Sequence, residues 1–186
     1  IVAMVRAHAS AGHAAPGLLD AVAKQAARRV RVFTPRELAN LAWAFATVER
    51  AAPTLLDTVA AEAARRVEEF QPRELVVLLW AVAASRHPAS GLLDAAAPVV
   101  AARSMDLDTQ ALAAVAWAYA TAGHGAPAMH DALAAAATRR LLRRQGSAFS
   151  PQGIATVAWA HASAGHAAPE LFDAIAEQAA LRASKF

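Results

Sequence analysis

The 186-residue chain has no cysteine, one tyrosine and few β-branched residues, and its charges nearly cancel, at a formal net charge of +3. Without cysteine it has no disulfide framework, no thiolate zinc site and no cysteine nucleophile. Alanine, by contrast, makes up 56 of the 186 residues. Because alanine favours helices and disfavours strands, this composition excludes an all-β fold. A hydrophobic fraction of 57% also excludes an intrinsically disordered chain.

No hydrophobic run is long and pure enough to predict a membrane span. The longest uncharged stretch, 145–169, is interrupted by glycine, serine, proline, glutamine and histidine. No signal or transit peptide is recognisable, and the chain begins without methionine inside an expected helix. We therefore expect a fragment of a longer chain, with any targeting segment outside it, and no membrane insertion.

Signatures of catalysis are also missing. The sequence has no glycine-rich phosphate loop, no nucleophile elbow, no His-Glu zinc motif and no convergent pair of carboxylates. We expect a protein that is not an enzyme and that needs neither a cofactor nor a metal.

An internal repeat dominates what is present. Trp43, Trp80 and Trp117 are 37 residues apart, and Trp159 follows after 42, which indicates a five-residue insertion near 142–147. Several sets of equivalent positions, which we call columns, share this spacing, and such self-similarity is typical of a repeat array. We predict one array over 1–186, with a truncated first repeat. The predicted repeats are 1–32, 33–69, 70–106, 107–148 and 149–186.

Each repeat contains the signals of two helices, A and B. Thr34-Pro35-Arg36-Glu37 combines an N-cap, a first-turn proline and a capping-box glutamate, which predicts the start of a helix A. Helix B is predicted to begin at a proline in four repeats and to end in an arginine-rich turn. One helix pair cannot bury its apolar faces alone, so we predict an all-α fold, an α-solenoid of stacked pairs. The four prolines are Pro16, Pro53, Pro127 and Pro169.

Helix A is predicted to have three faces. Leu38 and Leu41 belong to aliphatic columns that should pack on the helix B layer, and alanines flank them. The remaining face carries hydrogen-bonding side chains that vary between repeats, as in helical-repeat RNA readers that use a few side chains per base. A solvated face without a ligand would vary in the same way, so both interpretations stay open. The candidate RNA-binding residues on this face are Arg36, Asn40, Arg73, Gln110, Gln152 and Thr156.

Two further columns have competing interpretations. The Trp column suits either stacking on bases or packing between helices, and the sequence leaves that choice open. The aspartates at 20, 57, 94, 131 and 173 are kept in every repeat, where base readers should differ, which favours a structural role. Aspartate near the start of helix B favours the helix N-terminus, and it could accept a hydrogen bond from a neighbouring repeat's arginine or indole. At the A-to-B turn, four repeats carry one histidine each and the second repeat carries Arg50. One imidazole per repeat is too sparse for a metal site, so we expect these histidines to be turn or capping groups.

The charges separate between the two ends of the helix pairs. The end at which helix B stops and the next helix A starts, the basic edge, has fifteen basic and eight acidic residues, and the opposite edge three and seven. Helix dipoles favour part of this sorting, but a cationic edge also suits phosphates. Arg65, Arg66, Arg139, Arg140, Arg143 and Arg144 are its candidate RNA-binding residues. The other basic residues of this edge are Lys24, Arg28, Arg29, Arg31, Arg36, Arg73, Arg103, Arg182 and Lys185.

The stretch Phe33-Thr-Pro-Arg-Glu-Leu-Ala-Asn-Leu-Ala-Trp-Ala-Phe-Ala46, followed by Pro53-x-Leu-Leu-Asp57, resembles the octotricopeptide and heptatricopeptide repeats, as does Phe149–Trp159. That resemblance covers essentially the whole chain and implies an α-solenoid in a chloroplast or mitochondrial RNA-binding protein. The 37-residue period is nearer the heptatricopeptide length. The proline-rich motif of some octotricopeptide repeats and the RAP domain that often follows such arrays are absent from this sequence.

The leading hypothesis is a module that binds single-stranded organellar RNA along the helix A face and the basic edge, acting in transcript maturation, stability or translation. The alternative is a protein-interaction scaffold, or a structural subunit of a large organellar assembly, because solenoid grooves also bind peptides and helices. Proteins of an organellar complex are therefore expected as possible partners beside RNA. An idealised array without a ligand is disfavoured by the irregular third repeat and the insertion.

Overall fold

The computed structural model describes residues 2–10, 16–143 and 149–183, and these form helices without any strand. The A helices are α1 (Val2–Ser10), α3 (Pro35–Thr47), α5 (Pro72–Ala84), α7 (Thr109–Ala122) and α9 (Pro151–Ser163). The B helices are α2 (Pro16–Arg29), α4 (Pro53–Arg65), α6 (Ser90–Arg103), α8 (Pro127–Leu142) and α10 (Pro169–Ala183). Short 3-10 turns, Val30–Val32, Val67–Glu69 and Ser104–Asp106, follow α2, α4 and α6. The 142–147 insertion lies mostly outside the described residues.

The predicted helix starts are confirmed, and each has a local cause. The backbone N–H of Glu37 donates to the Thr34 hydroxyl at 3.3 Å, and the Thr34 N–H donates to a Glu37 carboxylate oxygen at 2.9 Å. Ser150 caps α9 and Asp108 caps α7 through bonds of 3.0 and 2.7 Å. These bonds satisfy amide groups that a helix cannot pair internally. Hydrogen bonds from the Thr34 backbone and hydroxyl lower the pKa of Glu37.

The chain forms two compact parts, an N-terminal part (1–96) and a C-terminal part (97–186). In the N-terminal part α1, α3 and α5 pack side by side as one layer, and α2 packs against α4. In the C-terminal part α7 packs against α9 and α8 against α10. A helices stack on A helices and B helices on B helices, so the predicted all-α, solenoid-type arrangement is confirmed.

The core of each part follows the predicted columns. Leu38, Leu41 and Leu78 have no exposed surface, and Leu112 and Val157 are equally well buried in the C-terminal part. The flanking alanines are buried too, Ala42 and Ala44 completely, because α3 is covered on both sides by neighbouring A helices. Small side chains at these positions allow the A helices to approach closely.

The first repeat departs from this pattern. Met4 occupies the Leu41 column, yet it is 42% exposed. Val2 and Val5, which occupy the alanine flank, are buried instead. Because α1 packs against α3, the flank of α1 supplies its buried surface. The burial that the Leu41 column predicts for Met4 is therefore wrong.

Replacing the cap of α3 tests the local account of helix initiation. Thr34→Ala should lower the free energy of unfolding by about 1 kcal/mol, because the Glu37 amide loses its acceptor and the Glu37 carboxylate loses the hydroxyl donor. Thr47→Ala is the matched control, since the Thr47 hydroxyl only bonds the Trp43 carbonyl one turn earlier in the same helix. Its effect should remain within about 0.5 kcal/mol. Urea denaturation of the wild type and the two variants measures these free energies of unfolding. Equal losses of stability in both variants would contradict the capping account.

Candidate nucleic-acid interface

The four candidates at the helix A starts occupy one equivalent position. Each is the second residue of α3, α5, α7 or α9, and each is exposed. Arg36 and Arg73 form no ion pair with any other residue that the structure describes. Because α3 packs against α5, the axes of the two helices that carry these arginines are about 10 Å apart. The column reads Arg36, Arg73, Gln110 and Gln152.

The second candidate column is less accessible. Asn40 and Thr156 are half-buried. The Thr156 hydroxyl donates to the carbonyl of Gln152 at 2.9 Å, within its own helix. A ligand that used this hydroxyl as a donor would have to replace that bond.

Arg65 and Arg66 at the end of α4 differ sharply in exposure. The Arg65 side chain is 66% exposed and lies 2.9 Å from a Glu62 oxygen, so its guanidinium can still reach a phosphate. The Arg66 side chain is only 22% exposed and donates from Nη2 to Glu69 at 2.8 Å. That hydrogen bond raises the pKa of Arg66 and lowers the pKa of Glu69.

The Arg66 column joins the two ends of a repeat. Arg66 Nη1 donates to the carbonyl of Phe33, the residue that opens the same repeat, at 2.9 Å. Arg140 makes the equivalent bond to the Leu107 carbonyl and a second one to the Met105 carbonyl at 2.8 Å. Hydrogen bonds from a charged donor are stronger than neutral ones. These two arginines therefore already hold helix B against the start of helix A, and their assignment to RNA stays a prediction.

The remaining arginines of the basic edge lie at and beyond the end of α8. Arg139 and Arg143 are exposed. Arg144 lies outside the described residues. The accessible candidate cations are therefore Arg36, Arg65, Arg73, Arg139 and Arg143.

The Trp column lies between the two interpretations left open by the sequence. Trp43, Trp80 and Trp117 are half-buried, and Trp159 is 48% exposed. Each ring therefore contacts protein and retains some accessible surface. Trp159 offers the most surface on which a base could stack.

The Asp column links consecutive repeats. Asp20 on α2 receives a bidentate contact from Arg50 of the next repeat, with Nη2 2.7 Å from both carboxylate oxygens. In the equivalent pairs, His87 Nε2 lies 3.1 Å from Asp57 and His166 Nε2 lies 3.1 Å from Asp131. The expected bond from a neighbouring arginine is thus confirmed at Asp20. Two of the turn histidines, His87 and His166, which were expected to serve as turn or capping groups, thus lie against the aspartate of the preceding repeat.

A histidine cluster lies inside the C-terminal part. The ring centroids of His130, His161 and His166 are 5.3 to 5.8 Å apart. His130 and His161 are buried, and Nε2 of His161 is 3.3 Å from the His130 carbonyl, so His161 of α9 packs against helix B of the preceding repeat. Burial, followed by electrostatic interaction with His161 and His166, lowers the pKa of His130 to about 4.

Within the described ranges, no group of three or more potential ligands could hold a metal ion. In the same part of the chain, none of the helices is both long enough and apolar enough to cross a bilayer.

Sequence reasoning missed the Arg66-type bonds and the burial of His130. The columns of equivalent positions contain a signal for the arginine bonds and another for the burial of His130. Arginine is kept at 29, 66, 103, 140 and 182, the same constancy that indicated a structural role for aspartate. His130 falls in a column otherwise occupied by Leu19, Leu56, Leu93 and Phe172, which indicates an apolar environment.

Comparison with known proteins shows the family of the chain. No curated protein matches the chain significantly. A family model described as RNA-editing substrate-binding complex 6 protein (RESC6) matches residues 1–183, which is nearly the whole sequence. The matching model is described as neither octotricopeptide nor heptatricopeptide. Since the match spans far more than half of the sequence, the chain belongs to the RNA-editing substrate-binding complex 6 protein family.

Proposed function

We propose that the chain is a helical-repeat module that binds single-stranded RNA and acts within an RNA-editing substrate-binding complex. The observation that carries the proposal is the pair of exposed arginines, Arg36 and Arg73, at adjacent helix A starts. Neither has an ion-pair partner among the described residues, so binding a phosphate would break no ion pair of the fold. Family membership supports an RNA-related role.

The proposed mode of binding divides the work between two surfaces. Within each part, phosphates lie along the accessible cations of the basic edge, where each neutralised phosphate releases counterions and favours binding. Bases lie against the helix A face, where Gln110 and Gln152 offer both hydrogen-bond donors and acceptors. The resemblance to octotricopeptide-type repeats supports the recognition of bases along this face. The three partly accessible tryptophans and Trp159 would supply stacking surfaces that are indifferent to base identity.

Filter binding of pooled single-stranded RNA at two salt concentrations tests the proposal. We expect saturable binding that weakens strongly between 50 and 200 mM salt; about four phosphate contacts predict roughly a fiftyfold loss for a single strand. Folded protein that binds no RNA, or whose binding is independent of salt, would refute it.

A second function, a protein scaffold of the complex, is favoured by the family's name, which is that of a complex subunit. Val77 replaces the polar residue on the free face of α5, so this face has apolar character suited to a protein partner. Recovery of one protein partner that survives RNase treatment, from a chain that binds no RNA, would favour the scaffold.

We propose a binding role without catalysis of its own. We place the protein in the mitochondrion, because membership in the RNA-editing family supports that organelle and gives no support to the chloroplast. Transcript maturation is the step that best fits an RNA-editing assembly.

A further inference from the structure

A pocket of about 790 Å³ opens at the A-to-B turns of the second and third repeats, entirely within the N-terminal part. It lies at the opposite ends of α3 and α5 from Arg36 and Arg73. Pockets of a few hundred to about 1,000 Å³ are typical of small-molecule and cofactor sites. The polar and aromatic residues that line it include Thr47, Glu49, Arg50, Trp80, Arg86 and His87.

Two of the lining residues have an uncommon backbone conformation. Glu49 and Arg86 have φ angles of 50° and 51°, in the left-handed region. The same column holds Gly123 and Gly165 in other repeats, both with φ of 62°. Glycine adopts this conformation without the clash that a side chain introduces. The second and third repeats therefore carry charged side chains at the pocket where the fold by itself favours glycine.

The basic residues of the pocket differ in whether they already contact a carboxylate. Arg50 is held by the carboxylate of Asp20, with Nη2 2.7 Å from both oxygens. His87 is buried against Asp57 at 3.1 Å. Arg86 is exposed and forms no ion pair with any described residue. Arg86 is therefore the cation that the pocket can offer to an anion.

An aromatic surface completes the site. Trp80 is half-buried and is the one tryptophan among the residues that line the pocket. An indole and a guanidinium without an ion pair that line the same pocket suit a nucleotide, because a base can stack on the ring and a phosphate can accept from the arginine.

We propose that this pocket binds one nucleotide of a single-stranded RNA, with its base on Trp80 and its phosphate on Arg86. This inference rests on the proposed RNA-binding function and adds a contact at the edge opposite the basic one. An RNA bound there would cross the helix A face from one edge to the other.

The two left-handed residues provide a matched pair of variants. Arg86→Gly and Glu49→Gly both relieve the backbone, so each should keep or raise the melting temperature. Arg86→Gly should weaken RNA binding about tenfold, the typical effect of losing one charge-assisted contact. Glu49→Gly removes an acid from the same pocket and should leave affinity equal or higher. A loss of affinity in Arg86→Gly without a loss of stability excludes a merely structural role.

Crosslinking locates the nucleotide independently. A single-stranded RNA containing 4-thiouridine should crosslink to the peptide that contains Trp80, and the crosslink should weaken in Arg86→Gly but not in Glu49→Gly. If RNA binds with the expected salt dependence but Arg86→Gly has no effect and the Trp80 peptide is not crosslinked, the pocket proposal is wrong while the proposed function stands. If the wild-type chain binds no RNA, both are wrong.

Discussion

Changing Arg36 and Arg73 together to glutamate is expected to abolish most RNA binding, with a loss of about a hundredfold or more. Both side chains are exposed at the starts of packed helices, and each can donate to a phosphate. Losing two charged hydrogen bonds costs about 3 kcal/mol or more, and the new carboxylates add repulsion. The helices should be unharmed, because acidic residues are favourable in the first turn.

A charge-matched comparison separates position from net charge. Arg36→Gln with Arg73→Gln lowers the net charge by two, and so does Ala61→Glu with Ala135→Glu on exposed positions of α4 and α8. The glutamine pair should lose about tenfold or more in affinity, while the alanine-derived pair should lose much less. Equal losses in the two pairs would mean that RNA responds only to overall charge.

Acidification should destabilise the C-terminal part through His130. Its pKa is about 4 in the folded protein, below the 6.5 of an unperturbed histidine. The unfolded chain therefore binds the proton first, so the stability is fully present above pH 6.5 and is lost as the pH falls towards 4. The shift corresponds to a loss of up to about 3 kcal/mol across this window. His161, His166 and Asp131 are the titratable groups that act on it.

Urea denaturation at pH 7.5, 5.5 and 4.5 measures this loss. Replacing His130 by leucine, the residue of its column in three repeats, should remove most of the dependence between pH 4.5 and 7.5. His124→Gln, which changes a half-buried turn histidine of the same part, should keep it. An unchanged pH dependence in His130→Leu would show that other groups titrate on unfolding.

Local chemistry allowed the helices to be predicted from the sequence. Pro53, Pro127 and Pro169 begin helices as expected, and Thr34 caps α3, because these preferences depend on a few adjacent residues. Burial of Leu38 and Leu78 also followed, since a repeated apolar column can only be satisfied by packing on neighbours.

The partners of the candidate site residues depend on the fold and were harder to foresee. Arg66 and the Phe33 carbonyl are 33 residues apart in sequence, and only the closed helix pair brings them together. Composition and charge counts treat Arg66 and Arg36 alike, although one is engaged in the fold and the other is exposed. The pocket beside Trp80 likewise depends on two turns that are 37 residues apart.

The salt dependence of RNA affinity, compared among wild type and the two charge-matched pairs, tests the central claim most directly. If RNA phosphates lie on the basic edge at Arg36 and Arg73, the slope of log affinity against log salt should be shallower by about 1.4 in the Arg36→Gln, Arg73→Gln pair. The Ala61→Glu, Ala135→Glu pair should keep the wild-type slope. Identical slopes in all three proteins would contradict the placement of RNA on this edge.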